Sequence, residues 1–306
     1  MVKNDVKGRI KSKNKYSVVK DIWAWLLFLP ALAGLVLFFI KPQIEGITWS
    51  FFDMNGYTVG KFCGLDNYIR VIKDSAFLKT FANTLKYVFW SMIIGYPLPF
   101  IIALVMNEMI HFRKTIRTAI YLPGIMPAVA VSLMWYFIYY PDASGMLNTI
   151  LGKFGMDPYI WLEDGRFTIL YIIISMTWSG MGGTSIYYFA AMQGINRELY
   201  EAAIIDGAGF WKRIKIVTLP HMRGILLLMA IQQLRGVFCI MEQPMQMTGG
   251  GPNNASLSLG LLNYRYGFEL YKPQMAMAQG TLMALFLMIF VIMYIKANKK
   301  VEEGRI

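Results

Sequence analysis

Six apolar runs, at 22–40, 84–106, 116–140, 167–192, 224–244 and 275–295, constrain this chain more than any other feature. A helix of about twenty residues is ~30 Å long, the thickness of the hydrocarbon core of a bilayer. Inside that core every backbone N–H and C=O needs a partner within the protein, so a run of this length enters it as a helix. With six such runs in 306 residues, the expected fold is an all-α polytopic membrane protein with six transmembrane helices. Charged residues form 16% of the chain, against about a quarter in an ordinary soluble domain, which agrees.

Lys and Arg near helix ends are retained on the cytoplasmic side. With the N-terminus inside, the inner segments 1–21, 107–117, 193–223 and 296–306 hold 19 of the 30 basic residues and 8 of the 18 acidic ones. The outer segments 41–81, 141–166 and 248–274 hold nine of each. The net charge of +12 is thus a topology signal, and no nucleic-acid partner is needed to explain it. Both termini are expected in the cytoplasm. The basic start followed by Ala31-Leu32-Ala33 imitates a signal peptide, but the apolar run continues to Ile40, so an uncleaved first helix is expected. Four parts follow: a basic tail at 1–21 that serves as an orientation signal or is held near anionic lipid headgroups by its charge, a first helix and outer segment at 22–81, a core of five helices at 82–296, and a tail at 297–306. Cys63 and Cys239 fall on different sides of the apolar boundary and offer no disulfide framework. The outer segment, with Trp49-Ser50-Phe51-Phe52, reads as interfacial and amphipathic.

Pro123 and Pro127 remove backbone donors from the third run, which should be bent and packed inside a bundle. Gly180, Gly182 and Gly183 in the fourth run allow close helix approach. In the fifth, Gln232, Arg235, Cys239, Glu242, Gln243 and Gln246 share one face of an unbroken helix at 100° per residue. Such a stripe is costly against lipid, so it lines either a solute pathway or a structural network between helices. Arg235 and Glu242 are two turns apart, roughly 10 Å along the axis, too far to pair directly.

Between the fourth and fifth runs lies EAAIIDGAGFWKRIKIVTLP, at 201–220. Asn196 can cap a helix over 197–206 that ends at Gly207. Phe210, Ile214 and Val217, opposite Lys212, Arg213 and Lys215, give a second amphipathic helix stopped by Pro220. Ala202 and Ala203 leave one face nearly bare, which admits a second protein. By composition alone, a helix lying on the inner leaflet fits as well.

Glu201-Ala202-Ala203, Gly207 and Val217-Thr218-Leu219-Pro220 resemble the signature loop of bacterial binding-protein-dependent ABC importer permeases, with Val217 where isoleucine is more usual. Gly64-Leu65-Asp66-Asn67-Tyr68, Asp74, Phe77, Asn83-Thr84, Tyr121-Leu122-Pro123 and Thr248-Gly249-Gly250-Gly251-Pro252-Asn253 are similar to the carbohydrate-uptake, maltose-type members. The resemblance covers nearly all of 20–296. It implies a type I ABC importer permease fold in a bacterial inner membrane and an alternating-access pathway for a sugar, an oligosaccharide above all. It also implies a second homologous permease subunit, two ATPase subunits that use ATP and Mg, and an extracytoplasmic solute-binding protein. Glu201, Ala202, Ala203, Asp206, Gly207, Leu219 and Pro220 of the loop at 195–222 would couple to the ATPases. Gln232, Arg235, Glu242, Gln243, Gln246, Trp135, Trp178 and Tyr187 offer the amides, charges and aromatic faces that sugars bind, and are the candidate pathway residues.

No Walker A pattern occurs, so this chain has no ATP site of its own and no cofactor or metal is expected in it. The rivals are a permease for a polyol phosphate or a polyamine, and a membrane enzyme acting on lipid-linked sugars. The enzyme needs clustered acids or a metal site. His111 and His221 lack metal-ligand spacing, and Glu163-Asp164 is the one adjacent acidic pair on the outer side.

Overall fold

The computed structural model describes residues 22, 24–109 and 113–302. The basic tail, His111 and the last residues, 303–306, lie outside them. Helix α1 (Ala24–Trp49) continues past Ile40, and no residue of the apolar window within it is buried. A two-stranded antiparallel hairpin follows, β1 (Phe52–Asn55) and β2 (Thr58–Phe62), then the short helix α2 (Asp66–Lys73). The interfacial amphipathic segment is thus realised only in α2, which buries Asn67, Tyr68 and Val71 and exposes Ile69 and Ile72. The hairpin was not foreseen, because strands this short carry almost no periodic signal.

Helix α3 (Ser75–Glu108) starts where the Asp74 carboxylate accepts the Ala76 N–H at 2.8 Å. Then come α4 (Arg113–Ile125), α5 (Ala128–Ile138), α6 (Met146–Lys153), α7 (Thr168–Gln193), α8 (Arg197–Ile205), α9 (Phe210–His221), α10 (Arg223–Phe238), α11 (Glu242–Thr248), α12 (Leu259–Tyr264) and α13 (Pro273–Glu302). Helices α1, α3, α7 and α13 are long and apolar enough to cross a membrane, and two bent pairs bring the spans to six. The pair α4–α5 turns through 97° and α9–α10 through 76°. The first bend lies at Met126, between two prolines. A residue before proline leaves the helical region, and Pro127 then opens α5 without needing an N–H.

The fifth span departs from expectation. Its helix stops at Phe238 and a new one starts at Glu242, so the six-residue stripe of an unbroken helix does not exist. An irregular stretch at membrane depth is tolerated where protein satisfies its backbone. Here the Ser258 hydroxyl donates to the Ile240 carbonyl, and Gly260 sits against the Cys239 and Ile240 carbonyls.

Helix α7 is the hub, packing against α3, α4 and α5, while α13 closes on α1, α2 and α10. Three buried clusters fill the bundle. One joins α2, α3, α12 and α13 around Val71, Leu259 and Ala278. A second joins α3 and α7 to the α8–α9 loop through Ala103, Met106, Tyr188, Ala203 and Val217. The third, around Tyr87, Tyr139, Ile172 and Val237, lies toward the opposite end.

Candidate functional site

The loop between α7 and α10 forms the expected elbow. The Asn196 side chain accepts the Glu198 N–H at 3.1 Å and starts α8. At the other end the Ala208 N–H donates to the Ala203 carbonyl at 2.8 Å and the Gly207 N–H to the Ile204 carbonyl at 2.9 Å. This pair of hydrogen bonds is the Schellman closure, which requires a left-handed residue just past the helix end, and Gly207 supplies it at φ +73°. The Tyr200 and Thr218 hydroxyls meet at 2.9 Å and tie α8 to α9. Arg213 of α9 lies 3.8 Å from Glu108 at the end of α3.

Two details differ from the sequence expectation. Pro220 does not stop α9. A π turn at Ile214–Thr218 lets the Leu219 N–H reach the Ile214 carbonyl and the Met222 N–H the Thr218 carbonyl, so the ladder passes over Pro220. The alanines do not share an open face either: Ala202 is exposed, whereas Ala203 is buried in the core beneath the elbow. The open surface is made of Glu201, Ala202, Ile204, Ile205, Asp206 and Gly207, with Trp211 beyond it. Ile205 is 86% exposed and Trp211 78%, and sequence reasoning had passed over both. The signal was available, since an isoleucine pair beside the glycine hinge has no core-facing register. Leu219 is exposed and Pro220 half-buried.

Within the bundle, a cavity of about 550 Å³ opens between α3, α7, α10 and α11. Gln232, Glu242 and Gln243 line it, the break after Phe238 bringing the last two to the same space as the first. Gln233 joins them, held by donation from its amide to the Ser91 hydroxyl at 2.7 Å. No Lys or Arg is in the lining. Gln232 and Glu242 are exposed to this space and Gln243 is half-buried, and none of the three side chains makes a hydrogen bond to a described residue.

The other candidates lie elsewhere. Arg235 is exposed on α10 outside the cavity lining. Trp135 stacks on Tyr139 at 5.2 Å and meets Trp178 edge-on at 5.8 Å, so both indoles serve the aromatic packing. Tyr187 is 62% exposed on the outside of α7. Gln246 points into a second cavity, of about 750 Å³, at the end of the bundle formed by 141–166 and 248–252.

That end is tightly latched. Asn83 donates to the Asn254 and Leu257 carbonyls at 2.7 and 3.1 Å, and Tyr87 to the Ser256 carbonyl at 2.9 Å, so α3 holds the glycine turn. The buried Asn148 amide faces the Tyr140, Pro141, Asp142 and Tyr159 carbonyls at 3.0–3.2 Å and accepts from the Tyr159 N–H and the Trp161 indole. Arg166 hydrogen-bonds Asp164 and, with the Tyr159 hydroxyl, holds that carboxyl well below the usual carboxylate range. The stability this adds is present above the ordinary carboxylate pKa and is lost only as pH falls through the depressed one. Asn148→Leu is expected to strand several polar groups at about 1–3 kcal/mol each. Amide exchange across 141–166 should accelerate while α7 stays protected; unchanged exchange there would contradict the latch.

Residues 95–299 match the family described as binding-protein-dependent transport system inner membrane component. The chain belongs to that family. The lactose transport system permease protein LacF of Rhizobium radiobacter is 29% identical over 90% of this chain and 93% of its own length. The trehalose/maltose transport system permease protein MalF of Thermococcus litoralis is 29% identical over 95% of this chain and 98% of its own. A crystal structure of a bacterial alginate ABC transporter, in complex with its alginate pentasaccharide-bound periplasmic protein, contains a chain of the same fold. The two agree with a TM-score of 0.80 at 25% identity over 91% of this chain and 94% of that one. This permease therefore has the type I importer fold and is a transport subunit, not an enzyme. Among the described residues, no group of His, Cys, Asp or Glu is placed to hold a metal ion.

Proposed function

We propose that this permease forms half of the pathway of an ATP-driven sugar importer and carries an oligosaccharide. The observation that carries this reading is the cavity in which Gln232, Glu242 and Gln243 stand without partners. Unpaired amides and a carboxylate inside a membrane bundle are costly unless water or a hydroxyl-rich ligand meets them. The sugar systems named for the relatives support it. The absence of Lys and Arg from the lining argues against a polyol phosphate, and the preponderance of amides over carboxylates against a polyamine.

The charge bias of the sequence supports placing the elbow, with both termini, on the cytoplasmic side. There Glu201, Ala202, Asp206, Gly207 and, at the far end of the elbow, Leu219 and Pro220 meet one of two ATPase subunits, which hold the ATP and Mg, while Ala203 seats the elbow on the bundle. A homologous permease supplies the other half of the pathway, and the solute-binding protein delivers sugar to the opposite end. Glu242→Leu in the reconstituted complex should lower sugar uptake about tenfold or more, the worth of a hydrogen bond to a charged group. Complex yield should not change. Uptake equal to wild type would contradict the pathway.

A further inference from the structure

The larger cavity has the chemistry of a sugar site. Half-buried Tyr136 and Gln246 and exposed Glu163 line it from three different segments, and none of the three side chains makes a hydrogen bond to a described residue. Together they present an aromatic face, a carboxylate and an amide, the combination that binds a pyranose through C–H stacking and hydroxyl hydrogen bonds. Its walls are preformed, because the Asn148 latch fixes Pro141 and Ile160 on one side and α3 holds the glycine turn on the other. A preformed site loses little ordering entropy on binding.

The two cavities share one wall. Helix α11 turns Gln243 toward the inner cavity and Gln246 toward the outer one. The two glutamines are one turn apart, about 4.5 Å along the axis, comparable to the length of one sugar residue. Neither lining contains Lys or Arg, and each contains a single glutamate.

Resting on the sugar-importer reading, we infer that the outer cavity is a second sugar station, binding an uncharged unit of the same glycan whose neighbouring unit occupies the inner cavity. Glu163 and Gln246 bind its hydroxyls and Tyr136 stacks on its ring. A glycan long enough to reach both stations gains contacts that a single residue cannot. An anionic sugar unit would face an unpaired carboxylate in either station, so uronate chains are selected against.

The test uses the complete reconstituted importer with its binding protein and a panel of linear neutral oligosaccharides from mono- to pentasaccharide, with uronate chains of matching length. Half-saturation of uptake in the wild type should tighten with length, and uronate chains should be weaker by about tenfold. Gln246→Leu and the shape-preserving Glu163→Gln should weaken the longer neutral chains roughly tenfold, leave the shortest transported one within about twofold, and relax the exclusion of uronates in Glu163→Gln. Equal loss at every length, or no loss, would overturn the station. Weakened docking of the ligand-free binding protein would assign the cavity to that protein instead and overturn it as well. Equal transport of uronate and neutral chains removes the charge selectivity without touching the sugar function. Failure of every glycan on the wild-type complex overturns the sugar function itself, and the station with it.

Discussion

Gly182→Ala is expected to destroy the folded permease, with a destabilisation of about 3 kcal/mol or more. A methyl group on Gly182 of α7 would overlap the Ile120 carbonyl oxygen and lie 2.8 Å from both the Ile120 carbonyl carbon and the Tyr121 Cα. These are backbone atoms, so no side-chain rotation relieves the clash and α4 itself would have to move. Gly124 makes the reciprocal approach, where a methyl would lie 3.1 Å from the Ser179 carbonyl. Two helices in lipid gain little from excluding water, and their affinity comes from close packing of this kind. Helix α4 is also half of a span bent through 97°, so a shift of α4 disturbs both halves of that span. Gly180 and Gly183, one turn or less away, face open space. Alanine at either should change stability by less than about 0.5 kcal/mol. Yield of assembled complex and its melting temperature in detergent separate the cases, and a wild-type melting temperature for Gly182→Ala would sink the argument.

The same contrast shows how far the sequence could be read. Small residues in the fourth apolar run announced a close helix crossing, but helical phase alone could not say which of three glycines stands at the crossing point. Pro123 and Pro127 announced a bent third span, because a missing N–H is a local fact. The break in the fifth span was invisible for the opposite reason. Residues 236–242 contain no proline, and the break is accommodated by residues some twenty positions later, where the Ser258 hydroxyl donates to the Ile240 carbonyl and Gly260 leaves room for the Cys239 and Ile240 carbonyls. An unbroken helix put Glu242, Gln243 and Gln246 on the face of Gln232; with the break, Glu242 and Gln243 line the same cavity as Gln232 and Gln246 lines the other, while Arg235, on α10 ahead of the break, lies outside both linings. Asn148 escaped notice because a lone asparagine in a loop has no pattern around it, although it orders the whole 140–161 turn. The elbow was legible in outline from its cap and glycine, while the burial of Ala203 depended on what lay beneath it.

That burial shapes the second large effect, expected for Glu201→Lys. Ala203, Ala208, Val217 and Met222 share one core with Ala103 and Met106 of α3 and Tyr188, Phe189 and Met192 of α7. The elbow is therefore packed on the two helices that border the inner cavity, and in the proposed mechanism a push on it would reach Gly95, Thr177 and Thr184 in the lining. Glu201 stands on the open face of α8, away from this core. Reversing its charge leaves the seating intact and places a cation where the proposed ATPase surface meets a carboxylate, which costs several kcal/mol at a desolvated contact. The variant should reach the membrane at wild-type level and lose uptake by about a hundredfold, with ATP hydrolysis no longer raised by the loaded binding protein. Gly207→Val acts on the other element of the elbow: at φ +73° a β-branched residue is strained, the Schellman closure opens, and α8 loses its angle to α9. Its uptake should fall while the core under Ala203 stays protected from amide exchange. Normal uptake per ATP in both variants would show that force enters the permease somewhere other than this elbow.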